Sequence, residues 1–335
     1  MSENRRNTGE PEFVDGIPVR TEEIGFLPDQ MWACPTCSKA NPPTRKGCLY
    51  CGTSITGSPF TADSDSLELR QLEEWEIGGN LIISGEGATD SAIANVAGIL
   101  PIETQIMAEF ARHGAPLPIA RLELGVAERV AAEFAKEGIA CRVVSDEQLR
   151  SNEPPIRVRE LHFDAANFET VNFNTRERLR FLLADVEVVI AGRIFNKSKA
   201  TTEKKQRKER KVIDETEVSS DETVLDIYVK GHELGFRVQV NGFDFSCLGP
   251  DKRLLAVENM AVLRTNLSAA AINAAIIDDF DRLGELLSIA WPLEVRTDSL
   301  GIHRSGLGRK DLKRVATVSN LRQFNRYSRL RRMLL

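Results

Sequence analysis

The 335-residue chain has no uninterrupted apolar run near the roughly 20 residues that a membrane-spanning helix needs. Its first residues, MSENRRNTGEPEF, lack the apolar core of a secretory signal peptide. These two absences argue against a helical membrane protein and a secreted one, so we expect a cytoplasmic protein. A net charge of −5, with charged residues at 28%, is ordinary for globular proteins and does not indicate a partner.

Patterns typical of catalytic sites are also missing. The four histidines, His113, His162, His232 and His303, are scattered without the paired spacing of a metal-dependent hydrolase. The stretch LIISGEGATD is close to a dinucleotide-binding turn, but Asp90 occupies the third glycine position, where its carboxylate would repel a pyrophosphate. No GxSxG nucleophile motif occurs. We therefore predict that the protein is not an enzyme, and we infer no small-molecule substrate.

Cysteine is scarce and unevenly placed, because four of the six cysteines lie in the stretch MWACPTCSKANPPTRKGCLYCG. Cys34, Cys37, Cys48 and Cys51 form two CxxC pairs that are separated by ten residues. In a reducing compartment such pairs bind a metal, since each CxxC turn places two thiolates on one edge of a tetrahedron. We predict one structural Zn²⁺, because four thiolates leave no coordination position for water or substrate.

The residues around the cysteines add a second pattern. Trp32 lies two residues before Cys34, and Asn41 lies between the pairs, which gives WxCxxC, three residues, Asn, six residues, CxxC. This pattern resembles the Ran-binding-protein type of zinc finger over residues 30–53. The resemblance implies two short crossed hairpins that clamp one zinc ion, with the Asn side chain tying the loop between them by backbone hydrogen bonds.

Members of this family bind either proteins or single-stranded RNA. Ubiquitin-binding members carry Thr and an aromatic residue after the second cysteine, where this chain has Ser38 and Lys39. RNA-binding members carry an aromatic residue after the Asn, where this chain has Pro42, and two arginines, of which Arg45 alone is matched. Both binding modes are thus incompletely matched. Because a closed metal site occurs without a catalytic pattern, we expect a protein partner, with RNA as the alternative. The candidate binding residues on the finger are Trp32, Asn41 and Arg45.

The rest of the chain predicts an α+β multidomain protein. Residues 1–29 have no periodic pattern and are predicted to be a disordered tail, and residues 54–66 are a Ser/Thr/Gly-rich linker after the finger. Within residues 67–151, PIARLEL, GVAERVAAEFAKEG and IACRVVS read as strand, helix and strand. We predict a small α/β domain there that contains a βαβ unit.

Residues 156–335 are predicted to form a second α+β domain, an antiparallel sheet followed by helices. A pleckstrin-homology-like barrel is one candidate fold for it. Residues 197–222 interrupt the strand pattern, with eight Lys/Arg in their first half and five acids in their second half. We predict a solvated charged loop whose halves attract each other, with an arm that contacts nucleic acid as the alternative.

The C-terminal segment, residues 301–335, holds ten Lys/Arg and one acid. If its last part is helical, Leu321, Phe324, Leu330 and Leu334 approximate one apolar face and arginines cover the rest. Two alternatives stay open: the helix packs its apolar face internally, or it binds an acidic partner such as RNA. In the second case the candidate binding residues are Arg329, Arg331 and Arg332. The leading interpretation of the whole chain is a zinc-binding, non-catalytic protein that binds another protein.

Overall fold

The computed structural model describes residues 12–14, 17–19, 31–42, 48–53, 69–70, 72–73, 75–84, 88–150, 152–206, 209–306 and 309–335. The chain divides into two compact units, Met1–Glu68 and Leu69–Leu335, and each is described by itself. The described part of the first unit contains two antiparallel strand pairs. They are β1 (Glu12–Val14) with β2 (Ile17–Val19), and β3 (Trp32–Ala33) with β4 (Ala40–Asn41).

The pair β1–β2 falls within residues 1–29, so the prediction of a tail without secondary structure is corrected there. Its short apolar pairs, such as Phe13 opposite Pro18, have too little periodicity to be recognised from sequence. The predicted linker, residues 54–66, lies outside the described residues.

In the second unit, a three-stranded sheet has the order β6-β5-β7. Its strands are β5 (Gly79–Ile83), β6 (Leu117–Leu122) and β7 (Cys141–Ser145), and β5 is antiparallel to both neighbours. Helix α3 (Leu124–Lys136) connects β6 to β7 and buries Ala127, Val130 and Phe134. These residues recur at helical spacing, which explains why the sequence predicts the order strand, helix, strand correctly. The βαβ motif is split, however, because β5 lies between its two strands in the sheet.

Three further helices accompany this sheet. They are α1 (Asp90–Ala97), α2 (Thr104–Arg112) and the single turn α4 (Asp146–Leu149). Thr89 caps α1 by accepting a hydrogen bond from Ala92 N, and Ser145 caps α4 in a reciprocal capping box with Gln148. The caps fix where the helices begin after the strands.

A nine-stranded sheet makes up most of the second unit. Its order is β10-β9-β8-β13-β12-β11-β16-β15, and β14 pairs with β11. The strands are β8 (Ile156–Phe163), β9 (Asn167–Asn172), β10 (Arg178–Leu182), β11 (Val186–Gln206), β12 (Glu209–Val229), β13 (His232–Gln239), β14 (Ala275–Ile277), β15 (Glu294–Gly306) and β16 (Arg309–Ser319). The sheet is mixed, because β13 pairs with β8, and β11 with β14, in parallel. The pleckstrin-homology-like barrel therefore stays a prediction.

Three helices, α5 (Ala256–Ala270), α6 (Gly284–Ala290) and α7 (Leu321–Met333), accompany the large sheet. Three apolar residues of α7, namely Phe324, Tyr327 and Leu330, are fully buried, whereas Leu321, at the start of the predicted apolar face, is 37% exposed. A buried polar network also holds α7: Ser328 Oγ donates to Asp226 on β12 at 2.6 Å. Of the two alternatives for the C-terminal segment, the described residues thus show internal packing of its last part.

Two predictions for this region are corrected. Residues 197–222 are not a loop: as far as they are described, they belong to the paired strands β11 and β12. In register, Lys199 lies opposite Glu217 and is bonded to Glu215 at 2.7 Å, whereas Lys204 and Lys205 lie opposite Lys211 and Arg210 nearer the turn. The opposite charges around Lys199 stabilise the pairing of the two strands there.

The second correction concerns the domain boundary that was predicted between residues 67–151 and 156–335. Both regions belong to one compact unit, because helix α6 packs on strand β6 and α4 packs on α7. Apolar residues on α6, such as Leu286 and Leu287, are buried. In the part of the chain that the structure describes, no helix has both the length and the apolar character needed to cross a membrane.

Candidate metal centre

The four predicted ligands come together in the first unit. The Sγ atoms of Cys34, Cys37, Cys48 and Cys51 all lie within 4.8 Å of one another. Cys34 Sγ is 3.7 Å from Cys51 Sγ, and Cys37 Sγ is 3.5 Å from Cys48 Sγ. A tetrahedral ion with metal–sulfur bonds of about 2.3 Å requires sulfur–sulfur distances of about 3.8 Å. The cluster therefore has the size of a single tetrathiolate metal site.

Two turns of the same kind present the sulfurs. Cys34 N donates to Lys39 O at 3.0 Å, and Cys48 N donates to Thr53 O at 2.9 Å. In each turn the residue after the second cysteine has a positive φ, which lets the chain reverse behind the two sulfurs. These residues are Ser38 (58°) and Gly52 (70°). The two CxxC pairs are thus equivalent in backbone structure as well as in sequence.

Asn41 joins the two turns. Its Nδ2 donates to Lys39 O at 2.7 Å and contacts Cys48 Sγ at 3.5 Å, while its Oδ1 accepts from Leu49 N at 2.8 Å. The side chain is fully buried, so these bonds use an amide that would otherwise be costly to bury. Asn41 therefore supports the ligands from both halves of the finger.

The sulfur atoms also receive hydrogen bonds that favour thiolates. Burial raises the pKa of Cys48, but the N–H groups of Tyr50 and Cys51 oppose it and lower the pKa to about 6. Thr53 lowers the pKa of Cys51 through its hydroxyl and its N–H. At Cys37 the Lys39 N–H acts in the same direction, but burial and the neighbouring thiols raise the pKa to about 12. A cation among the sulfurs would favour the thiolate form of Cys37.

The surface of the finger carries two residues that sequence reasoning did not select. Leu49 and Tyr50, between the third and fourth cysteines, are 51% and 59% exposed. Lys39 Nζ lies 4.6 Å from the centre of the Tyr50 ring. An exposed aliphatic and an exposed aromatic side chain on a rigid turn are typical of interface residues. The sequence contained a signal for this surface. A solvent-exposed turn does not require apolar residues, yet CLYC places two of them between its cysteines.

The other predicted site residues have different environments. The backbone of Trp32 pairs with Asn41 in the β3–β4 hairpin, and Arg45 lies outside the described residues. Arg329 donates to the carbonyl oxygens of Glu233 and Glu153 at 2.5 and 2.7 Å. The remaining two predicted arginines are also bonded within the second unit: Arg331 to Asp279 and Tyr327, and Arg332 to Glu233 O. The helix that carries them is anchored by these contacts.

Comparisons of the chain with protein-family models, with curated proteins and with solved structures found no match.

Proposed function

We propose that residues 30–53 form a Ran-binding-protein-type zinc finger that holds one structural Zn²⁺ and binds a protein partner. The observation that carries this proposal is the cluster of four sulfurs with sulfur–sulfur distances suited to a tetrahedral ion. The Asn41 bridge between the two turns supports the finer family assignment. Four thiolates saturate zinc, so its chemistry here is to hold the chain together, without a catalytic step.

The exposed pair Leu49 and Tyr50 is the surface that we propose for the partner. Both side chains extend from the turn that Cys48 and Cys51 hold, so the metal would fix their positions before binding. Pre-organised aromatic and aliphatic side chains lose little conformational entropy on association. A reducing, cytoplasmic location fits the six free cysteines, because thiolate ligands must stay reduced.

Metal analysis and binding together test this proposal. The purified chain should contain one zinc per molecule, and Cys48→Ser/Cys51→Ser should abolish it. A partner retained by the intact chain should be lost both with that variant and with Leu49→Ser/Tyr50→Ser, which leaves all four ligands in place. Retention of zinc by the surface variant is the control. Binding that survives both double substitutions contradicts the proposed surface, and absence of stoichiometric zinc contradicts the site.

RNA is the second candidate partner, because Tyr50 offers an exposed ring next to the cation of Lys39. Stacking of a base on such a ring contributes about 1–3 kcal/mol. Fluorescence anisotropy with a labelled single-stranded RNA should then show affinity that falls with salt and that Tyr50→Ala weakens. No binding at low salt removes this candidate.

A further inference from the structure

Strand β12 has a long unpaired edge in the large sheet. It pairs with β11 from Glu209 to Val229, but β13, its neighbour on the other side, pairs with it only from Val224 onward. No other described strand adjoins the remaining part of this edge. Residues 215–221 are all exposed, and Val218 among them is 62% exposed. Such an edge can accept a further strand, because its outward backbone groups have no partner in the sheet.

The hydrogen bonds of the neighbouring residues identify which backbone groups point outward. Thr223 O accepts from Val240 N at 3.4 Å, and Val240 follows β13 on the side of β12 away from β11. Backbone groups alternate in direction along an antiparallel strand, and the pairing with β11 is regular between residues 214 and 228. The N–H and C=O groups therefore also point outward at alternate residues of the edge, namely Glu215, Glu217, Ser219 and Asp221. None of these groups has a hydrogen-bond partner among the described residues.

The side chains of this edge differ between the two faces of the strand. Consecutive side chains of a strand point to opposite faces. One face of the edge therefore carries three carboxylates and one hydroxyl, from Glu215, Glu217, Ser219 and Asp221. The other face carries uncharged side chains, from Thr216, Val218 and Ser220. A strand that matches both faces has basic side chains at every second position and β-branched residues between them.

Cations near these acids lie on the inner side of the edge. Lys199 on β11 is bonded to Glu215 at 2.7 Å, and Arg193, also on β11, lies 3.7 Å from Asp221. An added strand would lie about 4.8 Å from β12 but about twice that distance from β11. Its side chains would therefore meet the carboxylates before the cations, which favours a basic strand. The same acids disfavour a second copy of β12 at this edge, since like charges would face each other.

We propose that the outer edge of β12 at residues 215–221 binds an extended basic peptide segment of another protein as an added antiparallel strand. The antiparallel direction continues the pairing that β12 already has with β11 and β13. In such a strand, the basic residues opposite the acids direct their own N–H and C=O groups at β12. Backbone hydrogen bonds then give the affinity, and the carboxylates select the side chains. This inference depends neither on the zinc finger nor on the partner proposed for it.

Fluorescence anisotropy of labelled peptides with the full chain tests the proposal. The peptide TKVKVKT should bind saturably, and TEVEVET should not, because its acids would face those of β12. A third peptide has the sequence TKVKVKT with methylated backbone nitrogens at its lysines. It keeps the charge but loses the donors that face the edge, so it should bind at least about tenfold more weakly. Absence of binding by TKVKVKT, or equal affinity for the methylated peptide, overturns the proposal.

Substitutions at the edge locate the site. Ser219→Pro removes one outward N–H and leaves the hydrogen bonds to β11 in place, so TKVKVKT should bind about tenfold more weakly. Ser219→Ala, the matched control, keeps that N–H and should bind unchanged. Glu217→Gln should weaken binding by up to about fivefold, through the loss of one opposite-charge pair.

The outcomes that contradict the site are distinct. Unchanged affinity in a folded Ser219→Pro variant overturns the proposal, and the methylated peptide decides if that variant does not fold. Sedimentation velocity of the full chain gives the remaining outcome. A dimer that Ser219→Pro dissociates would assign this edge to a second copy of the chain and overturn its assignment to a basic peptide.

Discussion

The indole Nε1 of Trp291 donates a 2.6 Å hydrogen bond to Oδ1 of Asn80, and both side chains are fully buried. Asn80 lies on β5, and its Nδ2 donates onward to Val144 O and to Asp146 Oδ1. Trp291 follows directly after helix α6. One hydrogen bond between residues 211 positions apart therefore connects the small sheet to the helices of the large sheet. This connection helps to explain why residues 69–335 form one compact unit, where the sequence predicted two domains.

Replacement of Trp291 by Phe should show how much this connection contributes. The variant leaves Asn80 Oδ1 buried without its donor, which costs about 1–3 kcal/mol, and it also removes buried aromatic surface. We expect the urea unfolding midpoint to fall with a single transition, since both sheets belong to one unit. Trp75→Phe is the control, because Trp75 is 79% exposed. Equal midpoints for the two variants would contradict a structural role for the bond.

Asp146 should make the stability of the second unit depend on pH in acid. Burial raises the pKa of this carboxyl, but Arg121, Asn80 and the N–H of Gly78 outweigh burial and lower the pKa below its ordinary value. The stabilisation is therefore present above the unfolded-state pKa of about 3.9 and is lost as pH falls through the lower folded-state value. Denaturation curves between pH 6 and pH 2.5 should show this loss.

The matched variants for this pH dependence are Asp146→Asn and Asp251→Asn. Asp146→Asn cannot ionise, so the unfolding free energy should be lower near neutral pH and should change less on acidification. Asp251 is exposed, and its replacement should leave the curve of the intact chain unchanged. An Asp146→Asn curve with the original slope would show that other carboxylates determine the acid transition.

The parts of the fold that sequence could predict are those with local signals. Helix α3 repeats its buried residues at helical spacing, and the four cysteines carry their ligand geometry in their spacing. The cluster of four cysteines was therefore predicted to the residue. The family resemblance predicted that Asn41 would tie the loop by backbone hydrogen bonds. The structure shows that Asn41 bonds to Lys39 O and to Leu49 N.

The parts that sequence could not predict depend on contacts between distant residues. Residues 197–222 have the composition of a solvated loop. Their two halves are strands because they pair with each other, which composition does not reveal. The arginines of α7 have the pattern of an exposed basic face, yet the carbonyl oxygens of Glu153 and Glu233 accept from Arg329. No local pattern in α7 indicates those acceptors.

Asn41→Asp should weaken zinc binding without removing a ligand. The variant keeps the oxygen that accepts from Leu49 N, but it loses the donors to Lys39 O and Cys48 Sγ and adds negative charge beside the thiolates. Loss of a group that orients metal ligands typically costs about 10- to 100-fold in affinity. Competition with a chromophoric chelator measures this change, and Asn95→Asp, on the exposed face of α1, is the control. In both variants affinity should fall as pH falls, because zinc displaces protons from the thiols.

Gly192 tests how closely helix α7 must approach the large sheet. A Cβ at this position of β11 would lie 2.5 Å from Cε2 of Phe324 and 2.9 Å from Cδ1 of Phe280, and both rings are buried. Because neither ring can move without displacing its neighbours, Gly192→Ala should destabilise the unit by about 1–3 kcal/mol. Gly125→Ala is the matched control: it lies in helix α3 with nothing within 4 Å, and alanine there should stabilise by up to about 1 kcal/mol. Urea denaturation of both variants should therefore give shifts of opposite sign, and a Gly192→Ala variant as stable as the intact chain would mean that α7 packs less closely on β11.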